Sequence, residues 1–254
     1  MNSPRGASSS QPPCAPGVSG KIRLVKLLAL ESSTELLTAA LYLDGRIVER
    51  ESGRAALHSE IALPLVQALL DEEGLTLERL DGIAFGSGPG AFTGLRLACS
   101  LAQGLAVGAG LPVIGIGSLE ALALAAGEGP IYACLDARMN EVYSAAYRVR
   151  GDAVETILAP TVSSPERVPL PPGQGWLGCG SGFAAYGPVL AARLGKAVGR
   201  LDPSLRPRAG GLLRLAAPSF ARGEGIDAAL AAPLYVRDKV ALTTAERLAA
   251  GGKA

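Results

Sequence analysis

Histidine is almost absent from this chain: His58 is the only one in 254 residues. That scarcity removes a two-histidine metal site, an H-E-x-x-H helix, and any Ser–His pair backed by a second histidine acid. His58 stands just before a predicted helix and reads as a solvated boundary residue, with a lone base as the functional alternative. Cysteine is sparse as well. Cys14, Cys99, Cys134 and Cys179 are far apart and form no C-x-x-C pair, which excludes zinc-ribbon and dithiol redox motifs. Cys99 and Cys134 lie in apolar contexts and read as core thiols of a protein in a reducing, cytoplasmic compartment. Charge of one sign is missing too: 24 Lys and Arg against 23 Asp and Glu leave a net charge of +1. A chain that neutralised many phosphates alone would be more basic, so autonomous nucleic-acid binding is not expected. No apolar run is long enough to span a membrane free of charge, Pro or Gly, so no membrane association is expected.

What is present is a large apolar fraction, 48% of the residues, enough for one large or two small cores. Residues 1–22 are rich in Ser, Pro and Gly and contain no apolar signal core. They read as a disordered extension; the absence of acids and the presence of Arg5 leave a transit-peptide reading open.

Hydrophobic periodicity predicts three strands first, over Leu24–Glu31, Leu36–Leu43 and Arg46–Glu51, with Asp44-Gly45 as a type I′ hairpin turn. A helix follows over Ser59–Glu73, either starting at Pro64 or kinked there. A strand over Gly82–Gly86, a helix over Thr93–Gly108, a strand over Val113–Ile116 and a helix over Leu119–Ala126 capped by Ser118 complete the first half. Strands over Ile131–Asp136, Glu141–Val149 and Ala153–Leu158 then echo its opening. Pro and Gly density marks Pro165–Gly180 as loops. Helices are expected over Ala184–Leu194 and Leu212–Arg222, and an extended segment over Pro233–Arg237. An antiparallel start followed by alternating β and α predicts a mixed α/β sheet with helices on its faces, in the ribonuclease H-like order of actin-like ATPases.

Two helices carry more apolar surface than one sheet face can cover. Ser59–Glu73 is apolar on nearly all sides. In Thr93–Gly108 only Thr93, Arg96, Ser100 and Gln103 form a thin polar stripe, and Gly94, Ala98, Ala102 and Gly104 would admit a close neighbouring helix.

Between the fourth strand and its helix lies Phe85-Gly-Ser-Gly-Pro-Gly-Ala-Phe-Thr-Gly94. It fits the dinucleotide spacing, but no acid follows before Glu120 to hold a ribose. A Walker lysine is missing, and Ser87 is one residue out of register for a nucleophile elbow. The loop reads as a tight turn that seats the following helix, with a phosphate-facing loop as the alternative.

Leu28-Ala-Leu-Glu-Ser-Ser-Thr34, Gly86-Ser-Gly-Pro-Gly-Ala-Phe-Thr-Gly-Leu-Arg96, Gln103-Gly-Leu-Ala106, Asp136-Ala-Arg138 with Glu141-Val-Tyr143, and Pro233-Leu-Tyr-Val-Arg237 together resemble the TsaB family, bacterial proteins of the machinery that makes threonylcarbamoyladenosine on transfer RNA. The resemblance spans nearly everything after Val25. It implies a two-lobed actin-like ATPase (ASKHA) fold, with residues 23–128 as first lobe, 129–248 as second and 249–254 as a frayed tail. It also implies a scaffold subunit, not an enzyme by itself, that pairs with the TsaD transferase, with TsaE joining and transfer RNA engaged only through the complex. The implied partner surface is the two apolar helices, for which Ile61, Leu65, Leu69, Arg96, Leu97, Ser100, Leu101 and Gly104 are the candidate contacts. The excess apolar surface predicts a homodimer when TsaD is absent. No metal and no cofactor are expected on the isolated chain, ATP or ADP being left to the partner complex. Family members usually carry Asp where this chain has Glu31.

The alternative reading is an autonomous actin-like ATPase or kinase using Glu31, Ser32, Gly88 and Gly90. A glycoprotease-like peptidase built on Ser87 and His58 ranks below it. Asp136, Arg138 and Glu141 read as an ion-pair network at the lobe junction or as a nucleotide-facing cluster. Tyr235 and Arg237 are expected to tie the terminal segment onto a lobe.

Overall fold

The computed structural model describes residues 25–52 and 57–237; the expected leader (1–22) and frayed tail (249–254) lie outside the described residues. The chain opens with β1 (Lys26–Glu31), β2 (Thr38–Leu43) and β3 (Arg46–Glu51). β1 is apolar almost throughout because it is covered on both faces: Leu28 and Leu30 enter one core, Leu27 and Ala29 another. The β2–β3 connection turns on Asp44 (φ 54°) and Gly45 (φ 102°), the left-handed pair that a type I′ turn requires.

Next come α1 (His58–Glu72), β4 (Gly82–Gly88), α2 (Phe92–Ala109), β5 (Val113–Gly117) and α3 (Ser118–Ala125). The second half contains β6 (Gly129–Arg138), β7 (Glu141–Arg150), β8 (Ala153–Ser163), β9 (Trp176–Cys179), α4 (Ser181–Leu194), β10 (Val198–Asp202) and α5 (Ala209–Ala221). The two sheets have the same plan. The first runs β3-β2-β1-β4-β5 and the second β8-β7-β6-β9-β10. In each, an antiparallel three-strand meander is extended by two parallel strands.

α1 and α2 cover one face of the first sheet, and α5 covers the other. In the second sheet Tyr132 and Cys134 point to the core under α4, while Ile131, Ala133 and Leu135 point to the core under α3. α5 falls within the residue range of the second lobe yet packs on the first sheet. Its first amides donate to that sheet, Ala209 N to Thr38 Oγ1 at 2.9 Å and Gly210 N to Glu49 Oε2 at 2.8 Å. A carboxylate at a helix N-terminus is also favoured by the helix dipole.

Several expectations need correcting. Helix α1 runs through Pro64, so Pro64 is not its first residue. Ser118 does not cap α3: the N-cap position is Gly117, and the Ser118 hydroxyl is engaged elsewhere. The Pro165–Gly180 stretch contains β9, and Val198–Asp202 supplies β10; both are too short for periodicity to reveal. Gly94, Ala98 and Ala102 face the first lobe's own interior, so they do not serve the approach of an external helix.

Candidate functional site

Two features stand out: a cleft between the lobes, and the outward face of α1 and α2.

The cleft has a volume of about 640 Å³. The first lobe contributes the turn after β1 (Ser33, Thr34, Glu35) and the end of the glycine loop (Pro89 to Phe92). The second lobe contributes the end of β6 with Asp136 and Arg138, Tyr143, and the first turn of α4 at Ser181. Residues 234–237 form a further wall. Of the four candidate nucleotide residues only Gly90 borders this space; Glu31, Ser32 and Gly88 do not.

Glu31 is sealed inside, 1% exposed. Ser33 N donates to its Oε1 at 2.6 Å and Ser118 Oγ to its Oε2 at 2.9 Å. A Cβ at Gly86 would collide with the carboxylate, so the glycine there makes room for it. Burial pushes the Glu31 pKa above its ordinary 4.5, against the opposing effect of these hydrogen bonds. With both oxygens occupied and no access to the cleft, this carboxylate is part of the internal packing.

The sign of that shift makes a prediction. A carboxyl whose folded pKa is raised contributes its full stability below the unfolded pKa, and loses it as pH rises through the folded value. Glu31→Gln, which mimics the protonated acid, should therefore melt with the wild type near pH 4 (roughly its ordinary pKa) and above it from neutral pH upward. Thermal melts across pH test this; an offset that does not change with pH would contradict it.

The glycine loop closes on the same turn. Ala91 N donates to Ser33 O at 2.7 Å, and Ser32 Oγ donates to Gly94 O at 2.7 Å. Gly94 lies directly under the Ser32 carbonyl, with no space for a Cβ. The tight-turn reading of the loop is what these contacts support. Ser87, at the end of β4, is buried, and its carbonyl accepts from Leu234 N at 2.7 Å. His58 is the first residue of α1, with Nε2 3.3 Å from Glu35 O. Neither is a hydrogen-bond partner of the other.

On the far side of the cleft, Arg138 pairs with Asp136 (Nη1–Oδ2 3.1 Å), whose Oδ1 accepts from Arg138 N at 2.8 Å. Ser181 Oγ accepts from Asp136 N at 3.1 Å. Arg237 pairs with Glu141 and donates to Ala137 O at 3.2 Å. The expected network of Asp136, Arg138 and Glu141 is instead two separate ion pairs at the lobe junction, Asp136–Arg138 and Glu141–Arg237. Among the described residues no group of three His, Cys, Asp or Glu side chains is placed to hold a metal ion, and no helix is long and apolar enough to cross a membrane.

The outward face divides the interface candidates. Leu69 is fully buried in the first-lobe core, together with Ala62, Val66 and Leu70, and so drops out as a contact residue. Its helix turns that stripe inward and leaves Ile61 and Leu65 partly exposed, beside Leu63 at 50%. On α2, Arg96, Ser100 and Gly104 are exposed and Leu97 and Leu101 partly so. Val107, 68% exposed, extends the face and was not among the sequence candidates; its position three residues after Gly104 on the same helix face was the available signal.

Two lobes, each a five-stranded sheet of the same mixed plan with helices on both faces and a cleft between, define an actin-like ATPase fold. A family profile described as TsaD, tRNA N6-adenosine threonylcarbamoyltransferase, matches residues 52–187. The tRNA threonylcarbamoyladenosine biosynthesis protein TsaB of Escherichia coli K12 is 35% identical over 227 residues, covering 85% of this chain and 96% of that protein. The protein of the same name from Haemophilus influenzae is 37% identical, covering 84% and 94%. Among solved structures, YeaZ from Pseudomonas aeruginosa superposes with a TM-score of 0.77 at 40% identity, covering 84% of this chain and all of that one. The chain belongs to the TsaB family.

Proposed function

We propose that this chain is a non-catalytic scaffold of tRNA threonylcarbamoyladenosine biosynthesis. Through the outward face of α1 and α2 it pairs with a TsaD-type transferase, which TsaE joins, and transfer RNA is met only by the assembled complex. The observation that carries the reading is that face: Leu63, Leu97, Leu101 and Val107 remain accessible on adjacent helices whose inner stripes already fill the core. An apolar surface of this kind is characteristic of an interaction site. The enclosure of Glu31 favours the scaffold over an autonomous ATPase, because the acid that would position a metal-nucleotide has no path to the cleft. Ser87 is buried and neither it nor His58 borders the cleft, which argues against a peptidase.

The expected result is a complex of this chain with the transferase on size exclusion, and loss of transfer RNA modification in a reconstituted reaction from which this chain is omitted. Failure to comigrate, or undiminished modification without it, overturns the reading. Alone, the chain is expected to use the same face to form a homodimer in the cytoplasm; a monomeric mass by light scattering at micromolar concentration would contradict that.

A further inference from the structure

The last described segment crosses the molecule. Ala228 and Ala231 belong to the first-lobe core, held by Gln103 of α2, whose Nε2 donates to both carbonyls at 3.1 and 3.2 Å. Leu234 N then donates to Ser87 O at the end of β4. Val236 packs into the second-lobe core, and Arg237 is anchored there by Glu141 and Ala137 O. Between these anchorages Tyr235 meets α2. Arg96 Nε donates to Tyr235 Oη at 3.1 Å, the Arg96 guanidinium lies 3.9 Å from the Phe92 ring centroid, and the Phe92 and Tyr235 rings are 5.8 Å apart. The Phe92 face is taken by the guanidinium and the tyrosine hydroxyl by its hydrogen bond, so the trio is closed on itself: a clasp, not an open stacking platform.

We infer that residues 233–237 are a strap that sets the position of the second lobe and holds Arg96 in one orientation on the partner-facing helix. The cleft and the α1–α2 face are then energetically coupled, and the strapped form is the one competent to pair. A side chain fixed before binding costs less to order on binding, and coupling between two sites is reciprocal. Arg237 acts as a positioning residue: it sits on the second lobe and reaches α2 only through the strap.

The pairing half of the inference rests on the function proposed above; the strap itself does not. In the isolated chain, Arg237→Ala should speed amide exchange at the second-lobe turn 137–141 and also in the first turn of α2, Phe92–Arg96, leaving the centre of β1 protected. Affinity for the transferase should fall at least about fivefold, with Arg237→Lys recovering part of it. Tyr235→Phe, which removes one hydroxyl, should move both readouts in the same direction. Faster exchange confined to residues 137–141 overturns the strap, as does weaker pairing with α2 exchange unchanged, which would mean that Arg237 touches the partner directly. Unchanged affinity with altered α2 exchange overturns the coupling. A wild-type chain that does not bind the transferase overturns the functional reading, and the exchange data then decide on the strap alone.

Discussion

Gly94→Ala is expected to destabilise the folded chain by about 3 kcal/mol or more, as overpacking against a rigid neighbour does. For a chain of this size that is a melting temperature lower by roughly 6–12 °C. In an ordinary helix the change would stabilise, because alanine loses less conformational entropy. Here the added methyl would meet the Ser32 carbonyl oxygen, which is main chain and cannot turn aside. Either α2 moves outward or the turn after β1 moves, and that turn also carries the Ser33 amide bound to Glu31. The control lies on the same helix. Gly104 is exposed and a Cβ there meets nothing within 4 Å, so Gly104→Ala should stabilise by about 0.5–1 kcal/mol. Thermal or denaturant melts of the two variants should differ in sign; two shifts of the same sign would refute the contact.

Leu69→Glu and Val107→Glu should fail in different ways. Leu69 is fully buried in the first-lobe core among Leu28, Leu30 and Val66. An unpaired carboxylate there has no partner and no water, so a loss beyond about 4 kcal/mol and a largely unfolded chain by circular dichroism are expected. Val107 is 68% exposed, and Val107→Glu should hold stability within about 0.5 kcal/mol. It should nevertheless weaken pairing with the transferase more than about tenfold, through the cost of desolvating a charge at an apolar contact. A folded Val107→Glu chain that pairs normally would remove the α1–α2 face from the interface. Leu101 lies between these cases: it is partly exposed but packed against the core, so Leu101→Glu combines both losses and discriminates less.

Much of this was legible in the linear sequence because it depends on local pattern. Asp44-Gly45 required a type I′ turn, and the turn is present. Since burial demand can be counted from composition and period, the apolar excess on two helices pointed to side chains that their own sheet does not cover, and Leu63 and Val107 are exposed there. What could not be read was direction. A helix apolar on most sides does not say which residue faces its own sheet, so buried Leu69 was counted on the outward face and exposed Val107 was not. β9 and β10 were hidden because four or five residues hold too little periodicity, and they became strands only by pairing with β6 and with each other.

By itself, then, the sequence determined the class of machine: one histidine, a glycine loop without lysine or ribose acid, and motifs shared with a family of transfer RNA modification proteins. Only the tertiary structure decided what the suggestive residues do. Glu31 ended a strand like a metal-placing acid, yet Ser33 and Ser118, two and eighty-seven residues away, enclose it. Tyr235 and Arg237 promised a tie to one lobe, and the segment spans both. The physical reason is the same in each case. Chemistry belongs to the residue type, but accessibility and partnership belong to whatever the folded chain brings alongside, and those neighbours come from distant parts of the sequence.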